Sequence, residues 1–373
     1  RLVATHVRVV EGLERVDPAA WDAMVPPDNP FIEHAFLHGL ERCGAVGAGA
    51  GWAPVHLLVE TDGALVGACP LYVRGDSYGE YVFDWGWASA AQRAGIAYYP
   101  KLTTAVPYTP ASTGRLLGEH SVLPAAVEAL RARVGASSHH VLFDTEAEAE
   151  ALAAQGYVTR VGFQFKWADE GFGDFDGFLG RLSSKRRKEL LRERRQVREA
   201  GIEVRISRGA DVSHDDIRAL HMYYCDTIAK HGQHAYLVAR WWEEVLPALG
   251  DRLLVAMAWR HGERVAGALN FVRGRSLYGR YWGCADDFRG LHFEVCYHAL
   301  VEWALAHGVT LVEAGAQGEH KLQRGFLPRL TYSSHRVAHP GLHAAVARFC
   351  GEEAGAVHAA VDAYAEHSPF RAL

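Results

Sequence analysis

Two segments of the chain carry one pattern of apolar and polar positions. Residues 56–73 (HLLVETDGALVGACPLYV) and 253–272 (LLVAMAWRHGERVAGALNFV) each run from an apolar strand through a turn into a second strand. The turns are Asp62-Gly63 and His261-Gly262, and each second strand opens Val-(Ala)-Gly-Ala. Such turns suit short hairpin connections. Two similar hairpins, about 200 residues apart, predict a duplicated fold.

After the second hairpin, residues 276–283 read as a strand by their aromatic content. There Tyr278, Arg280 and Trp282 are expected on one face and Tyr281 on the other. A loop, 285–290, leads to a helix over 291–307, where Phe293, Cys296, Tyr297, Leu300, Val301, Ala304 and Leu305 recur at helical spacing. Gly308 is placed to end it, and 310–313 is the next strand. Hairpin, strand, helix, strand is the order of an α/β layer. In the first half, 124–134 and 147–155 read as helices, and 140–143 and 157–167 as strands. The aromatic and proline-rich stretches 78–87 and 98–108 read as loops and short helices. An alanine-rich helix over 342–366 is expected to pack on a surface.

Residues 178–201 stand apart. The run LSSKRRKELLRERRQVREAG is built of helix formers, with Ser183 or Ser184 to cap its start and Gly201 its end. Its apolar residues are few (Leu190, Leu191, Val197), so much of it faces water. The boundary between domains 1–177 and 178–373 is placed at this helix. Lys185, Arg186, Arg187, Lys188 and Arg192 form an expected polyanion-binding surface. The plain alternative is a solvated helix laced by ion pairs.

Composition narrows the field. The chain has 373 residues, 49% hydrophobic and 22% charged, the profile of a globular protein. No apolar run reaches a membrane span, and no signal-peptide pattern opens the sequence. The six cysteines are scattered without a CxxC pair, so neither structural zinc nor a disulfide framework is expected. The expected setting is a reducing cytoplasm. With a net charge of −5, any polyanion site must be local. There is no GxSxG elbow, P-loop, GxGxxG after a strand or HExxH, and no metal is expected.

The densest chemistry is residues 313–326 (EAGAQGEHKLQRGF), just past a strand. Ligands in α/β folds tend to bind beyond strand C-termini. Lys321, Arg324 and Gln317 offer donors to a carboxylate, phosphate or polarised carbonyl. Glu319 and His320 are able to move protons, and Gly325 and Phe326 close the segment. His292 and Glu294 form a second possible proton-transfer pair. Arg289 and Gly290, before the helix, are placed to meet a diphosphate. Arg280 is placed to stack and pair with an anion. Asp84, Trp85, Lys101 and Tyr281 are candidate acceptor-cleft residues. For each the plain alternative is an ion pair, a cap or core packing.

These motifs together resemble a bacterial family of N-acyltransferases called FemAB-like, or peptidoglycan biosynthesis/recognition, in the GNAT superfamily. The resemblance rests on residues 29–36, 77–85, 99–102, 182–189, 278–283, 290–294 and 315–326 and covers nearly the whole chain. It implies an α/β (α+β) fold of two tandem GNAT-like domains in a Fem-like arrangement, with the active cleft between the halves. It also implies that Lys321, Arg324, Gly325 and Phe326 line an acyl site. The implied reaction moves an acyl or aminoacyl group from acyl-CoA or aminoacyl-tRNA to a small-molecule or peptide amine. Two departures stand out. The long coiled-coil arm of some Fem enzymes is reduced to one basic helix, and the glycine loop of acetyltransferases is reduced to Gly290. Two other expectations stay open, a non-catalytic module for a cell-wall fragment or RNA and an amide-forming enzyme of a specialised metabolite pathway.

Overall fold

The computed structural model describes residues 5–230, 232, 235–315 and 318–371. By internal contacts the chain forms two compact units, Arg1–Phe163 with Leu330–Ala359 and Gln164–Arg329 with Ala360–Leu373. Both hairpins are present. His56–Thr61 pairs with Ala64–Cys69 in the first unit, and Leu253–Arg260 with Glu263–Arg273 in the second. Each turn holds two left-handed residues in succession, Asp62 (φ 50°) and Gly63 (φ 82°), then His261 (φ 50°) and Gly262 (φ 80°). This is the turn whose twist suits a two-residue hairpin.

The hairpins also share an irregularity. Glu60 faces Leu65 but Val59 faces Gly67, so the pairing skips Val66. Trp259 faces Arg264 but Ala258 faces Ala266, so it skips Val265. Bulges are designed features kept within families. The same bulge at the same step from the same turn is the structural mark of duplication.

The surrounding elements repeat too. In the first unit Thr5–Val10 pairs with His56–Thr61, and the helices Pro18–Asp22 and His34–Arg42 lie between them in the chain. In the second, Ile202–Arg208 pairs with Leu253–Arg260, with the helices His214–Lys230 and Leu246–Ala248 between. Among the described residues, each unit then has a parallel strand pair joined through a helix. The first joins Lys101–Thr104 to Ser138–Asp144 through Leu123–Val134. The second joins Ser276–Cys284 to Leu311–Glu313 through helical residues 291–306. Leu57, Val59, Leu71, Leu102, Val127 and Leu130 build the first core. Leu254, Ala256, Leu269, Phe271, Val295 and Leu300 lie buried in the second.

Two expectations need correction. Residues 98–108 are not all loop, because Lys101–Thr104 is a strand. All four of its residues are buried, so it shows no alternation to read. Nor do Tyr278, Arg280 and Trp282 simply share a face. Leu269 faces Tyr281 while Asn270 faces Gly279, which leaves Arg280 as the extra residue of a bulge. Two residues opposite one break the alternation there.

Candidate functional site

In the second unit the parallel pair parts early. Ser276, Leu277 and Tyr278 face Leu311, Val312 and Glu313, and the strand Ser276–Cys284 runs on without them. The chain beyond Glu313 turns through Gly315 (φ 82°) and Gly318 (φ 117°) into a 3-10 helix, Glu319–Arg324. A 3-10 turn has three residues per turn, so Lys321 and Arg324 rise on one side of it. Both are buried.

Lys321 Nζ donates to the Gly315 carbonyl at 2.7 Å, its sole hydrogen bond among the described residues. Burial brings its pKa down from 10.5 to about 8. Among the described residues, two of the three N–H donors of the ammonium have no partner.

Arg324 is held on all sides. Its guanidinium makes two bonds to Glu193 of the basic helix, one of them Nε to Oε2 at 3.2 Å. Nη1 donates to the His320 carbonyl at 2.6 Å, and the group lies 3.3 Å from the centroid of Phe293. Glu193 also meets His298 Nε2 at 2.8 Å. Burial pushes the Glu193 carboxyl up, but bonds from His298 and Arg324 outweigh it and hold it below the usual range. Next door, Arg194 grips Glu294 through Nε and Nη2 at 3.0–3.1 Å and Glu302 at 2.6 Å. Arg324 and Glu294, expected at the ligand and the proton, thus bind the basic helix instead. Sequence reasoning missed Glu193, Arg194 and His298. The signal was the i, i+3/i+4 spacing of Leu190, Glu193, Arg194 and Val197, which marks one helix face.

His320 sits differently. Its ring is partly exposed, and Nε2 lies 3.0 Å from the Tyr297 hydroxyl. His292 packs among the rings of Trp282, Phe293, Tyr297 and His320, and burial brings its pKa down to about 4. Glu319 is exposed and accepts from the Tyr364 hydroxyl. Phe326 is buried edge-on to Tyr297 at 5.3 Å. A side chain at Gly325 would meet the Phe178 ring at 2.8 Å, so this glycine serves packing. Gly290 is similar, its missing Cβ 3.3 Å from the Glu193 carbonyl. Arg289 is exposed. Tyr281 packs on Tyr224 and Trp242, and Arg280 lies 5.2 Å from the Tyr281 ring centroid. Gln317 lies outside the described residues.

Asp84 and Lys101 belong to the first unit. Lys101 Nζ, fully buried, donates to Ser77 Oγ and Glu80 at 2.7 Å and to Asp84 at 2.6 Å. Arg74 Nε donates to Glu80 at 3.3 Å, and the Tyr98 hydroxyl to Asp84 at 2.6 Å. Two cations and two carboxylates close on one another, the form in which buried charge is tolerated. Burial pushes Glu80 up. Burial acts on Asp84 too, but Lys101 outweighs it and holds that carboxyl down. Trp85 stands outside this cluster, 40% exposed, its ring 5.0 Å from that of Tyr78.

The basic helix is Ser184–Glu199, capped by Ser183. Leu190 and Val197 are buried, whereas Lys185, Lys188 and Arg192 are exposed on another stripe. Arg186 pairs with Glu189 at 2.7 Å. Lys185, Arg187, Lys188 and Arg192 carry no ion pair among the described residues.

No group of three His, Cys, Asp or Glu able to hold a metal occurs among the described residues. No described helix is long and apolar enough to cross a membrane.

Mixed α/β units with a shared bulged hairpin and a parting parallel pair define a two-domain GNAT-like protein. The chain belongs to the FemAB-like family, described as peptidoglycan biosynthesis/recognition, which matches residues 12–372. Among solved structures the fold is similar to L-PGS from Bacillus licheniformis, with a TM-score of 0.53 at 14% identity, covering 90% of this chain and 97% of that one. The C-terminal domain of a putative lysylphosphatidylglycerol synthetase from Agrobacterium fabrum gives 0.56 at 10% identity, over 88% and 94%. FemX gives 0.55 at 11% identity, over 89% and 99%. No curated protein matches the chain in sequence.

Proposed function

We propose that the protein transfers an acyl or aminoacyl group from an activated ester or thioester to an amine, with the chemistry in the second unit around Lys321. The observation that carries this is a buried ammonium with one hydrogen bond among the described residues, set where the parallel strands part. A cation there stabilises the oxyanion that forms when an amine adds to the donor carbonyl. Burial strengthens that interaction by excluding water. No covalent enzyme intermediate is required, because holding donor and amine in contact supplies much of the rate. Family membership and the names of the fold neighbours, FemX and lysylphosphatidylglycerol synthetase, support the reaction class. Acyl-coenzyme A and aminoacyl-tRNA are the donor classes that fit, and a peptidoglycan-precursor peptide is the acceptor class. The test is a screen of radiolabelled acetyl-coenzyme A and charged tRNA against amine-bearing peptides. Amide product that disappears in Lys321→Met supports the reading. Product from neither donor class, or product unchanged in the variant, ends it.

Lys185, Arg187, Lys188 and Arg192, which carry no ion pair among the described residues, favour a second reading, in which the basic helix docks a polyanion such as RNA. Salt-sensitive RNA binding lost in Lys185→Glu/Lys188→Glu, with no turnover by the intact protein, would favour it over catalysis.

A further inference from the structure

We infer that His320 is the proton acceptor of this site and that Tyr297 is the positioning residue that fixes its ring; this rests on the acyl-transfer reading above. Five side chains near the parted strands carry the right chemistry, and their surroundings separate them. Glu294 is gripped by Arg194, Glu319 faces the Tyr364 hydroxyl, and His292 is enclosed by aromatic rings. Lys321 is the buried cation. His320 alone of the five combines a partly exposed ring with a built cradle.

That cradle has three parts. The Tyr297 hydroxyl lies 3.0 Å from Nε2. The rings of His292 and Phe293 flank the imidazole at centroid distances of 5.9 and 5.6 Å. Gly318 lies against it so closely that an added Cβ would stand 2.4 Å from Cε1 and 2.9 Å from Nδ1. Only glycine fits there, at φ 117°. The backbone of His320 is fixed as well, since its carbonyl accepts from Arg324. A ring whose orientation is determined by four neighbours from two elements is positioned for use.

The tautomer follows from the role. With Nε2–H donated to the Tyr297 oxygen, Nδ1 carries the free lone pair. The amine nitrogen attacks the donor carbonyl carbon, so a C–N bond forms and the oxygen becomes an alkoxide facing Lys321. The nitrogen, now cationic, gives a proton to Nδ1. The C–S or C–O bond to the leaving group breaks as the carbonyl re-forms, and His320 passes the proton to the departing thiolate or alkoxide. The imidazolium that exists between these transfers has its second N–H accepted by Tyr297. Charged groups around the ring set its readiness. Burial and the cations of Arg324 and Lys321 lower the His320 pKa, while Glu193 opposes them, and the net shift favours the neutral ring that accepts a proton.

The experiment has two readouts on the full chain. The first is a proton-NMR titration of the His320 ring, assigned by its loss in His320→Gln. In Tyr297→Phe the imidazolium loses its acceptor, so the titration midpoint falls. An unchanged midpoint overturns the positioning role. The second is steady-state kinetics with the donor that the screen selects. His320→Gln is expected to lower kcat roughly 10²–10³-fold at unchanged donor KM. Tyr297→Phe is expected to lower it about 10-fold, and added imidazole to restore turnover in His320→Gly. Full activity in His320→Gln overturns this inference and leaves acyl transfer standing. Wild-type protein inert toward every donor sinks acyl transfer itself, and the proton-acceptor role with it.

Discussion

Arg324 and Glu193 form a partly buried paired contact that ties the turn carrying Lys321 and His320 to the basic helix. Removing one partner strands the other charge together with His298. Glu193→Ala is expected to cost about 2–3 kcal/mol of stability. It should also cut turnover more than ten-fold, because the 3-10 turn loses its anchor. A double-mutant cycle with Arg324→Met, read by urea unfolding, should return a coupling of about 1–3 kcal/mol. Additive effects would show that the pair does not act as a unit.

Lys321 trades stability for chemistry. Its pKa is about 8 in the folded protein against 10.5 unfolded, so the unfolded chain binds more protons between those values. The penalty is complete below pH 8 and relieved as pH rises toward 10.5. Lys321→Met is therefore expected to be more stable by ~1–3 kcal/mol at neutral pH, less the lost bond to Gly315, while losing activity. Unfolding curves at neutral and alkaline pH check this, and the advantage should vanish in alkali.

The ion cluster of the first unit predicts the opposite behaviour. Lys101→Met leaves Glu80 and Asp84 buried without their shared ammonium. A loss of about 3–5 kcal/mol is expected, large enough to compromise folding. A Tm unchanged by this substitution would mean that the cluster is solvated.

Acid should weaken the first unit. His139, His140 and His335 are buried and neutral; His139 bonds Thr104 and Tyr157, and His140 bonds His335. Burial drives His139 and His335 down to about 3, and His140 well below its ordinary value. The unfolded chain protonates them first, near pH 6.5, so stability is intact above that value and falls as pH drops through it. Each contributes up to ~1.4 kcal/mol per pH unit. Asp144 opposes in part, since burial raises its carboxyl to about 7 and favours the folded state as it protonates. Three histidines outweigh one aspartate. Urea midpoints should fall between about pH 7 and pH 5, less steeply in His139→Gln, whose amide keeps both partners.

Both hairpins were legible because their turns and strand patterns are local, whereas the shared bulge emerged only from the pairing. Legible too was the basic helix, its cap narrowed in sequence to Ser183 or Ser184 and found at Ser183, and the strand-helix-strand after the second hairpin. The helix at 342–366 was also seen and runs from Pro340 to Glu366. What sequence could not supply was pairing at a distance. Nothing in the run KRRKELLRERR says that Glu193 and Arg194 turn inward while Lys188 and Arg192 turn out. That division is made by Arg324, 131 residues from Glu193, and by Glu294, 100 residues from Arg194. Arg324 read as a ligand-binding group because its chemistry suits one, and only the structure shows its capacity directed at Glu193. Tyr297 was visible as one apolar position in a helical stripe, whereas its hydroxyl matters through His320, on a different element.

Catalysis at this site depends, on the proposed reading, on stabilisation of an acyl-transfer oxyanion by the Lys321 ammonium. Its most direct test is single-turnover amide formation from a radiolabelled donor by wild type and Lys321→Met, each shown to be folded by urea unfolding. Amide is expected from the wild type, with a loss of at least roughly 10²-fold in the folded variant. Equal rates in the two proteins would contradict it.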